Sequence, residues 1–459
     1  MEVSVTGRNI GRARAARRIR LGTMLLGATL ASGLVMTPSA GAQVAAGADS
    51  PKPPPGGTLQ LAYVVNTSSD NVSVIDTATN TVSTTIPLGN GAGPTAVAVT
   101  PDGSSAYVAD FQANSVSVID TATNTVSSTI GTGAGTGPAG VAVTPDGTKA
   151  FVADSLSDGV SVIDTATNTI AATIPVPGGS APFQPVVAPD GSRVFVSLRS
   201  GGTQGDVAVI DTATNMLVDV IGAVTAAYGL AVSPDGSRLY VAGFTDQSND
   251  VFVVDADTGI VLTTIDTGAN TQPFGVAAAP NGGHVYVALS GNGAGQESVS
   301  VIDTATNTVS ATVGVGEAPL GLAVTPDSGR VYVANSSSAN VSVIDTATNS
   351  VTTTVGVGQG PAGVAITTVD ASATPPPGSR ATVSSARPVK VHARPERQSA
   401  VIGTLKPGAI VTIACRIVHN ARATGGNNTW YKLNERPRGW VEARHIKVLS
   451  QPVPPCSGR

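Results

Sequence analysis

The chain has 459 residues, of which only 12% are charged and 3% aromatic, while Gly and Pro number 53 and 31. That length argues for two or three domains, and that composition for short strands and many turns around an interior of Val, Ile and Ala. The net charge of -4 hides 7 Lys/Arg against 2 Asp/Glu in residues 1–57, 5 against 25 in 58–370 and 14 against 3 in 371–459, and so acidic a middle speaks against nucleic acid as a partner.

The N-terminus has the three parts of a secretory signal. Arg8, Arg12, Arg14, Arg17, Arg18 and Arg20 precede a short apolar run from Leu21 to Met36, followed by Ala40-Gly41-Ala42. The run is too short and too rich in Gly, Ser and Thr for a membrane span. Arg17-Arg18 leaves a twin-arginine route open, although Arg20 stands where that route wants an apolar residue. Residues 1–42 are therefore expected to be a signal peptide, and 43–57, with Pro51, Pro53, Pro54 and Pro55, a stiff spacer. The mature protein is expected outside the cytoplasm, as a monomer with no transmembrane segment.

From residue 58 the chain repeats itself. Val72-Ser73-Val74-Ile75-Asp76-Thr77-Ala78-Thr79-Asn80-Thr81 returns six times, with its aspartate at Asp120, Asp164, Asp211, Asp255, Asp303 and Asp345. The spacings of 44, 44, 47, 44, 48 and 42 residues mark a repeat architecture. Each unit holds four strand candidates. In the second unit these are Ala96 to Val99, Ala106 to Ala109, Val116 to Ile119 and Val126 to Ile130. Pro101-Asp102-Gly103 is a tight turn between the first two. The Asp-Thr-Ala-Thr-Asn stretch joins the last two, with Asp120 accepting a backbone N–H two residues on and Asn124 taking a left-handed conformation. The seven aspartates thus read as turn formers. Four short antiparallel strands at this period predict propeller blades, packed face to face. Seven first strands and seven second-strand aromatics (Tyr63, Tyr107, Phe151, Phe195, Tyr240, Tyr286 and Tyr332) set the blade number. The array opens on a second strand and ends on a first strand, so the last strand completes the first blade in a 1+3 closure that leaves no open end. The fold expected for 58–370 is an all-β, seven-bladed β-propeller.

Tyr63-Val64-Val65-Asn66, Tyr107-Val108-Ala109-Asp110 and Tyr332-Val333-Ala334-Asn335, each ahead of a Val-Ile-Asp-Thr-Ala-Thr-Asn turn, resemble the YVTN-repeat propellers of bacterial and archaeal cell surfaces. Similar propellers include surface-layer proteins, a periplasmic DNA-binding type, lactonase-type enzymes and an antibiotic lyase type, so the resemblance implies the fold more firmly than a job. Residues 371–379, with Pro375-Pro376-Pro377, read as a second linker. Beyond it, Val389 to Pro395, Val401 to Gly408, Ile410 to Ala414, Trp430 to Leu433 and Gly439-Trp440-Val441 suggest five short strands of a small barrel. This stretch resembles bacterial SH3-type (SH3b) domains, here assigned 380–459. Cys415 and Cys456 are the only cysteines, both in the tail of an exported chain, and are expected to form a disulfide.

Neither a metal site nor a cofactor is expected. The propeller has one histidine, His284, and no cysteine, and its Asp turns offer single carboxylates rather than a dense oxygen set. Departures from the repeat are more informative. Phe183, Tyr228 and Phe274 hold equivalent positions in three neighbouring units, with Leu320 in the next and Thr95, Ala139 and Ala362 elsewhere. Arg199 and Glu317 fall on the same face. These six residues are the candidate ligand or partner patch, the bland alternative being that larger side chains fill local gaps. The function expected is a secreted, non-enzymatic envelope protein, its propeller recognising a small molecule or protein and its basic SH3b-like module binding a cell-wall polymer. A lactonase- or lyase-type enzyme at the channel mouth is the alternative, with only Glu297, Glu317 and scattered Asp to serve as acid or base.

Overall fold

The computed structural model describes residues 58–199, 207–222, 227–245, 248–291 and 297–370, and, further on, 379–383, 385, 387–392, 401–406, 410–420, 427–433, 440–442 and 445–448. The expected signal peptide, the spacer, the 371–378 part of the linker and Cys456 lie outside the described residues, as does the side chain of Cys415. No described helix is long and apolar enough to cross a membrane.

Strands β1 (Thr58–Asn66) to β28 (Pro361–Asp370) form seven four-stranded antiparallel sheets. Blade I has the order β28-β1-β2-β3, where β2 is Asn71–Asp76 and β3 Thr81–Pro87. The last strand of the repeat region thus sits beside the first, with Leu61 opposite Thr367 and Tyr63 opposite Ala365. The remaining blades each use four consecutive strands. Their innermost strands are β4 (Pro94–Val99), β8 (Pro138–Val143), β12 (Pro182–Val187), β16 (Ala227–Val232), β20 (Pro273–Ala278) and β24 (Pro319–Val324). Each touches the next, β24 touches β28 and β28 touches β4, which closes the ring. This is the seven-bladed propeller with 1+3 closure that the repeat predicts.

The core lies between blades. One buried cluster joins Tyr63, Val65 and Val74 of blade I to Val97, Val108 and Ile119 of blade II, another joins Ala62, Val64 and Ile75 to Tyr332, Val341 and Val343 of blade VII, and the other five interfaces repeat the pattern. Second and third strands are covered on both faces, which is why they read as Val, Ile and Ala with an aromatic in each second strand and small Ser in most third strands. Fourth strands are outermost and alternate exposed with half-buried positions, hence their Thr and Ser. The seven second-strand aromatics are all at most 1% exposed. Truncating such a ring to Ala leaves a cavity and costs about 3–5 kcal/mol.

Both kinds of turn form as expected, with one correction. Thr100 Oγ1 donates to Asp102 Oδ1 at 2.6 Å, and Gly103, at φ 69°, donates its N–H to the Thr100 carbonyl at 2.8 Å. In the Asp-Thr-Ala-Thr-Asn turn the residue closing each stretch is left-handed, at φ 53° for Asn80 and 51° for Asn124. Asp120, however, accepts from the N–H of Thr123, three residues on, at 2.9 Å, rather than two. The third-residue bond recurs at Asp164, Asp211, Asp255, Asp303 and Asp345, because the Thr hydroxyl three residues on donates to the same oxygen. Only Asp76 keeps the second-residue bond alone, to Ala78 N–H at 2.8 Å.

C-terminal to the ring, seven strands rather than five form one sheet, in the order β31-β30-β34-β33-β32-β29-β35. Strands β30 (Val389–His392), β31 (Val401–Leu405), β32 (Ile410–Asn420), β33 (Asn427–Leu433) and β34 (Trp440–Glu442) match the five expected segments. The sequence reading missed β29 (Ser379–Val383), whose first residue had been placed in the linker, and β35 (Ile446–Val448).

Candidate functional site

Two faces of the propeller differ in what their loops do. The first-to-second and third-to-fourth turns share one face, where Thr121 N–H donates to the Ser104 carbonyl at 3.2 Å. The second-to-third and fourth-to-first connections share the other, where Leu88 N–H donates to the Asp70 carbonyl at 3.0 Å.

The turn face is structural. Tyr63 Oη donates to Asn124 Oδ1 at 3.0 Å, Tyr107 to Asn168 at 2.7 Å and Tyr332 to Asn80 at 2.6 Å, each from one blade into the turn of the next. Where the ring is Phe151, Lys149 Nζ reaches Asn215 Oδ1 at 3.0 Å instead. Where it is Phe195, the turn carries Gly259 in place of Asn. Asn307 and Asn349 keep a buried Oδ1 without a partner. Among the turn aspartates, Asp164 is held below the usual carboxylate range by the backbone N–H and then the hydroxyl of Thr167, and Asp235 is held down to about 2 by Ser233 and Ser237. Two open grooves of about 470 and 490 Å³ lie on this face, lined among others by Asp146 and Thr148. Their carboxylates already serve the turns. His284 sits on this side too, at the start of β21 (His284–Leu289), its ring 6.3 Å from that of Tyr286.

The connection face divides by blade. In blades VII, I, II and III the second strand ends on Asn335, Asn66, Asp110 and Asp154, all at most 1% exposed. Asn66 Nδ2 donates to Asn71 Oδ1 at 2.7 Å and Ser73 Oγ at 2.9 Å, and Asn335 makes the same pair of bonds to Asn340 and Ser342. Asp110 and Asp154 instead accept from Ser117 and Ser161, at 2.6 Å each. Burial pushes both carboxyls up to about 6, against the lowering effect of those serines. In all four residues Oδ1 is buried with no hydrogen-bond partner. Composition alone gave no sign of this ring of buried polar ends. The available signal was that blades IV, V and VI replace it with Leu198, Gly243 and Leu289.

Those same three blades carry the aromatic residues singled out above. Phe183, Tyr228 and Phe274 stand at the second position of β12, β16 and β20, half-buried, and their rings meet. Phe183 is edge-on to Tyr228 at 5.9 Å and to Phe274 at 5.6 Å, and Tyr228 and Phe274 are 5.3 Å apart at 45°. Aromatic pairs of this geometry contribute about 0.5–1.5 kcal/mol beyond their buried area. The Arg199 guanidinium carbon lies 5.0 Å from the Phe183 ring centre and 5.9 Å from that of Tyr228. The close approach of innermost strands has its own signature. A Cβ on Gly229 would fall 1.9 Å from the Phe274 carbonyl oxygen, and one on Gly275 2.1 Å from that of Leu320.

Four of the six candidate residues are thus brought together: Phe183, Tyr228, Phe274 and Arg199. Leu320 holds the equivalent position in blade VII and presents its carbonyl to Gly275. Glu317 stands apart on an exposed loop, its N–H bonded to Ser338 Oγ at 2.8 Å, and no ion pair joins it to Arg199. Among the described residues no group of three or more His, Cys, Asp or Glu could hold a metal ion. The connection-face Asp70 and Asp158 cap neighbouring loops, Asp70 accepting from Gly91 and Gly93 at 2.8 Å and Asp158 from Gly179 at 2.8 Å.

No protein-family model and no curated protein matches the chain. Solved structures do. A hydrazine synthase structure from Kuenenia stuttgartiensis is 25% identical, with a TM-score of 0.55 over 62% of this chain and 92% of that one. A functionally unknown protein from Desulfotomaculum acetoxidans DSM 771 is 20% identical, with a TM-score of 0.56 over 68% and 99%. A 6-phosphogluconolactonase candidate from Bacteroides uniformis ATCC 8492 is 19% identical, with a TM-score of 0.54 over 67% and 99%. The latter two likenesses are of fold alone, and together the three place the repeat region among β-propellers.

Proposed function

We propose that the chain is an exported, non-enzymatic protein of the cell envelope, of the YVTN-repeat kind, whose propeller recognises a ligand or partner at the Phe183-Tyr228-Phe274 patch. The observation that carries this reading is the meeting of three half-buried rings, from consecutive blades, at a position that is Thr or Ala in three of the other four. Packing alone needs no such cluster, since blades I, II and III close on Ala362, Thr95 and Ala139 there. The turn aspartates, the loop-capping Asp70 and Asp158 and the strand-end Asp110 and Asp154 are all engaged in hydrogen bonds, which favours binding over acid–base chemistry. No substrate is carried over from the hydrazine synthase likeness. The C-terminal sheet is proposed to be an SH3b-like barrel, stapled by a Cys415–Cys456 disulfide, that attaches the protein to an anionic wall polymer through its 14 Lys/Arg against 3 Asp/Glu.

The test has two arms. The full-length chain and a chain ending at residue 374 are compared for retention on purified cell wall across a salt series. Loss of retention on truncation and weakening by salt are expected, and salt-indifferent retention overturns the electrostatic attachment. A thermal-shift screen then seeks ligands of the propeller. A ligand that raises the midpoint of the wild type is expected to lose its effect on Phe183→Ala and Phe274→Ala. If both variants respond as the wild type does to every ligand found, the patch has no recognition role.

A further inference from the structure

The propeller region carries 25 Asp/Glu and only 5 Lys/Arg, so each cation in it calls for a reason. Four share one. Lys149, Arg193, Arg238 and Arg330 open the second strands of their blades and donate to backbone carbonyls in the next blade's turn, those of Thr212, Ala256, Thr304 and Thr77. Arg193 adds an ion pair to Asp257 at 2.6 Å. These four tie blade to blade on the turn face.

Arg199 is the fifth, and it lies on the other face. It is half-buried, with its guanidinium over the rings of Phe183 and Tyr228. The one side-chain hydrogen bond described for it, from Nη2 to Ser155 Oγ at 3.4 Å, is long and uses a single donor. Among the described residues no carboxylate lies within ion-pair distance of it. A guanidinium presents five N–H donors in a planar fork whose edge stays available while its face stacks on a ring. That edge matches two oxygens of one carboxylate or phosphate.

We infer that the patch takes an anion carried on a flat or apolar body, with Arg199 binding a carboxylate or phosphate group and Phe183, Tyr228 and Phe274 holding the body. The inference rests on the proposed recognition role of the patch and adds the ligand class to it. A strongly acidic propeller disfavours anions at long range, so selection for one must come from a local cation, and Arg199 is the cation the blade-to-blade ties leave over.

The probes are benzoate for the carboxylate, phenyl phosphate for the phosphate and benzyl alcohol as the neutral counterpart. Each is titrated into the full-length chain by ligand-observed NMR, for the wild type, Arg199→Gln, Arg199→Lys and Phe274→Ala. At least one anion is expected to bind about tenfold or more tighter than benzyl alcohol, the scale of one charge-assisted pair. Arg199→Gln is expected to lose that preference, Arg199→Lys to keep part of it, and Phe274→Ala to weaken all three probes. The ratio between benzoate and phenyl phosphate identifies the anion. Equal binding of benzyl alcohol and the anions, sensitive to Phe274→Ala and not to Arg199→Gln, overturns the anion while leaving the patch a recognition site. Absence of binding by every probe overturns the inference as well. The recognition reading itself falls only on the thermal-shift result with Phe183→Ala and Phe274→Ala. The thermal transition of each variant shows whether it is folded, and Arg199→Lys carries the test should Arg199→Gln fail to fold.

Discussion

Replacing Asp110 and Asp154 by Asn, the residue that blades I and VII already carry at this position, is expected to stabilise the propeller at neutral pH. Each carboxyl is at most 1% exposed and is pushed from 3.8 up to about 6 by burial. A raised carboxylate pKa means that the folded state holds its proton more tightly than the unfolded one. The associated stability is complete below about pH 4, declines as the pH rises through 6, and stays lost above that. A shift of about 2 units at roughly 1.36 kcal/mol per unit sets a ceiling of about 3 kcal/mol for each site. Part of this returns to the wild type, because Ser117 and Ser161 donate to Asp Oδ2 at 2.6 Å and would have to turn to accept from an Asn Nδ2. Ser73 and Ser342 already accept in that way from Asn66 and Asn335. Denaturant midpoints of the wild type and the Asp110→Asn/Asp154→Asn double variant, taken from pH 3.5 to 8, provide the measurement. The difference between the two curves should open between pH 4 and 6.5 in favour of the variant and then run flat. A difference independent of pH, or a variant less stable at pH 7, would refute the reasoning.

Tyr332→Phe should cost about 1 kcal/mol by leaving Asn80 Oδ1 unpaired, and Asn80→Gly should then cost little more, since Phe195 already pairs with a glycine-bearing turn at Gly259. A double-mutant cycle on unfolding midpoints should return a coupling of about 1 kcal/mol, and additivity would mean that the bond contributes nothing. Gly229→Ala should destabilise by about 3 kcal/mol or more, because its Cβ would meet backbone atoms at 1.9 and 2.9 Å that cannot swing aside. Gly314→Ala, with nothing within 4 Å, should stay within about 1 kcal/mol of the wild type, and equal effects at the two positions would remove the packing argument. Reduction of the protein should lower the unfolding temperature of the C-terminal module and leave the propeller transition in place, as the proposed Cys415–Cys456 staple requires. Two free thiols at Cys415 and Cys456 by mass mapping would contradict the staple.

Blade number, closure, the places of the turns and the seven second-strand aromatics were all legible because they recur with the repeat, and a period is visible without knowing what touches what. Blade-to-blade ties were not. Asn124 was read only for its left-handed backbone, whereas its side chain also accepts from Tyr63, 61 residues away in sequence. Phe195 opposite Gly259 was the available hint, but Phe151 opposite Asn215 breaks the pattern until Lys149 is seen to supply the missing donor. Buried Asp110 and Asp154 escaped notice for a different reason. Asn, Asp, Leu and Gly alternate at that position, and a sequence shows the substitution without the burial. The aromatic patch was visible as a departure from repeat, while the placement of Arg199 over two of its rings is a pair of contacts, within one blade and to the next, that no period encodes. Glu317 was grouped with Arg199 by face, and sharing a face did not bring the two side chains together.

Blade I has a consequence for the order in which the chain acquires its shape. Its three outer strands are among the first made, and its innermost strand, Pro361–Asp370, is the last of the ring. Through the making of six further blades, β1 keeps a naked edge of unpaired N–H and C=O groups. Ala62, Val64 and Ile75 meanwhile lack the cover that Tyr332 and Val343 will supply, and the Tyr63 and Val74 cluster lacks that of Ala365. Ring closure therefore joins the two ends of the repeat region in a single late step of high sequence separation, the slowest kind of contact to form. Until that step the chain is an open arc with one sticky end. A chaperone would find its work there, and a chain stopped short of residue 361 would keep that end for good.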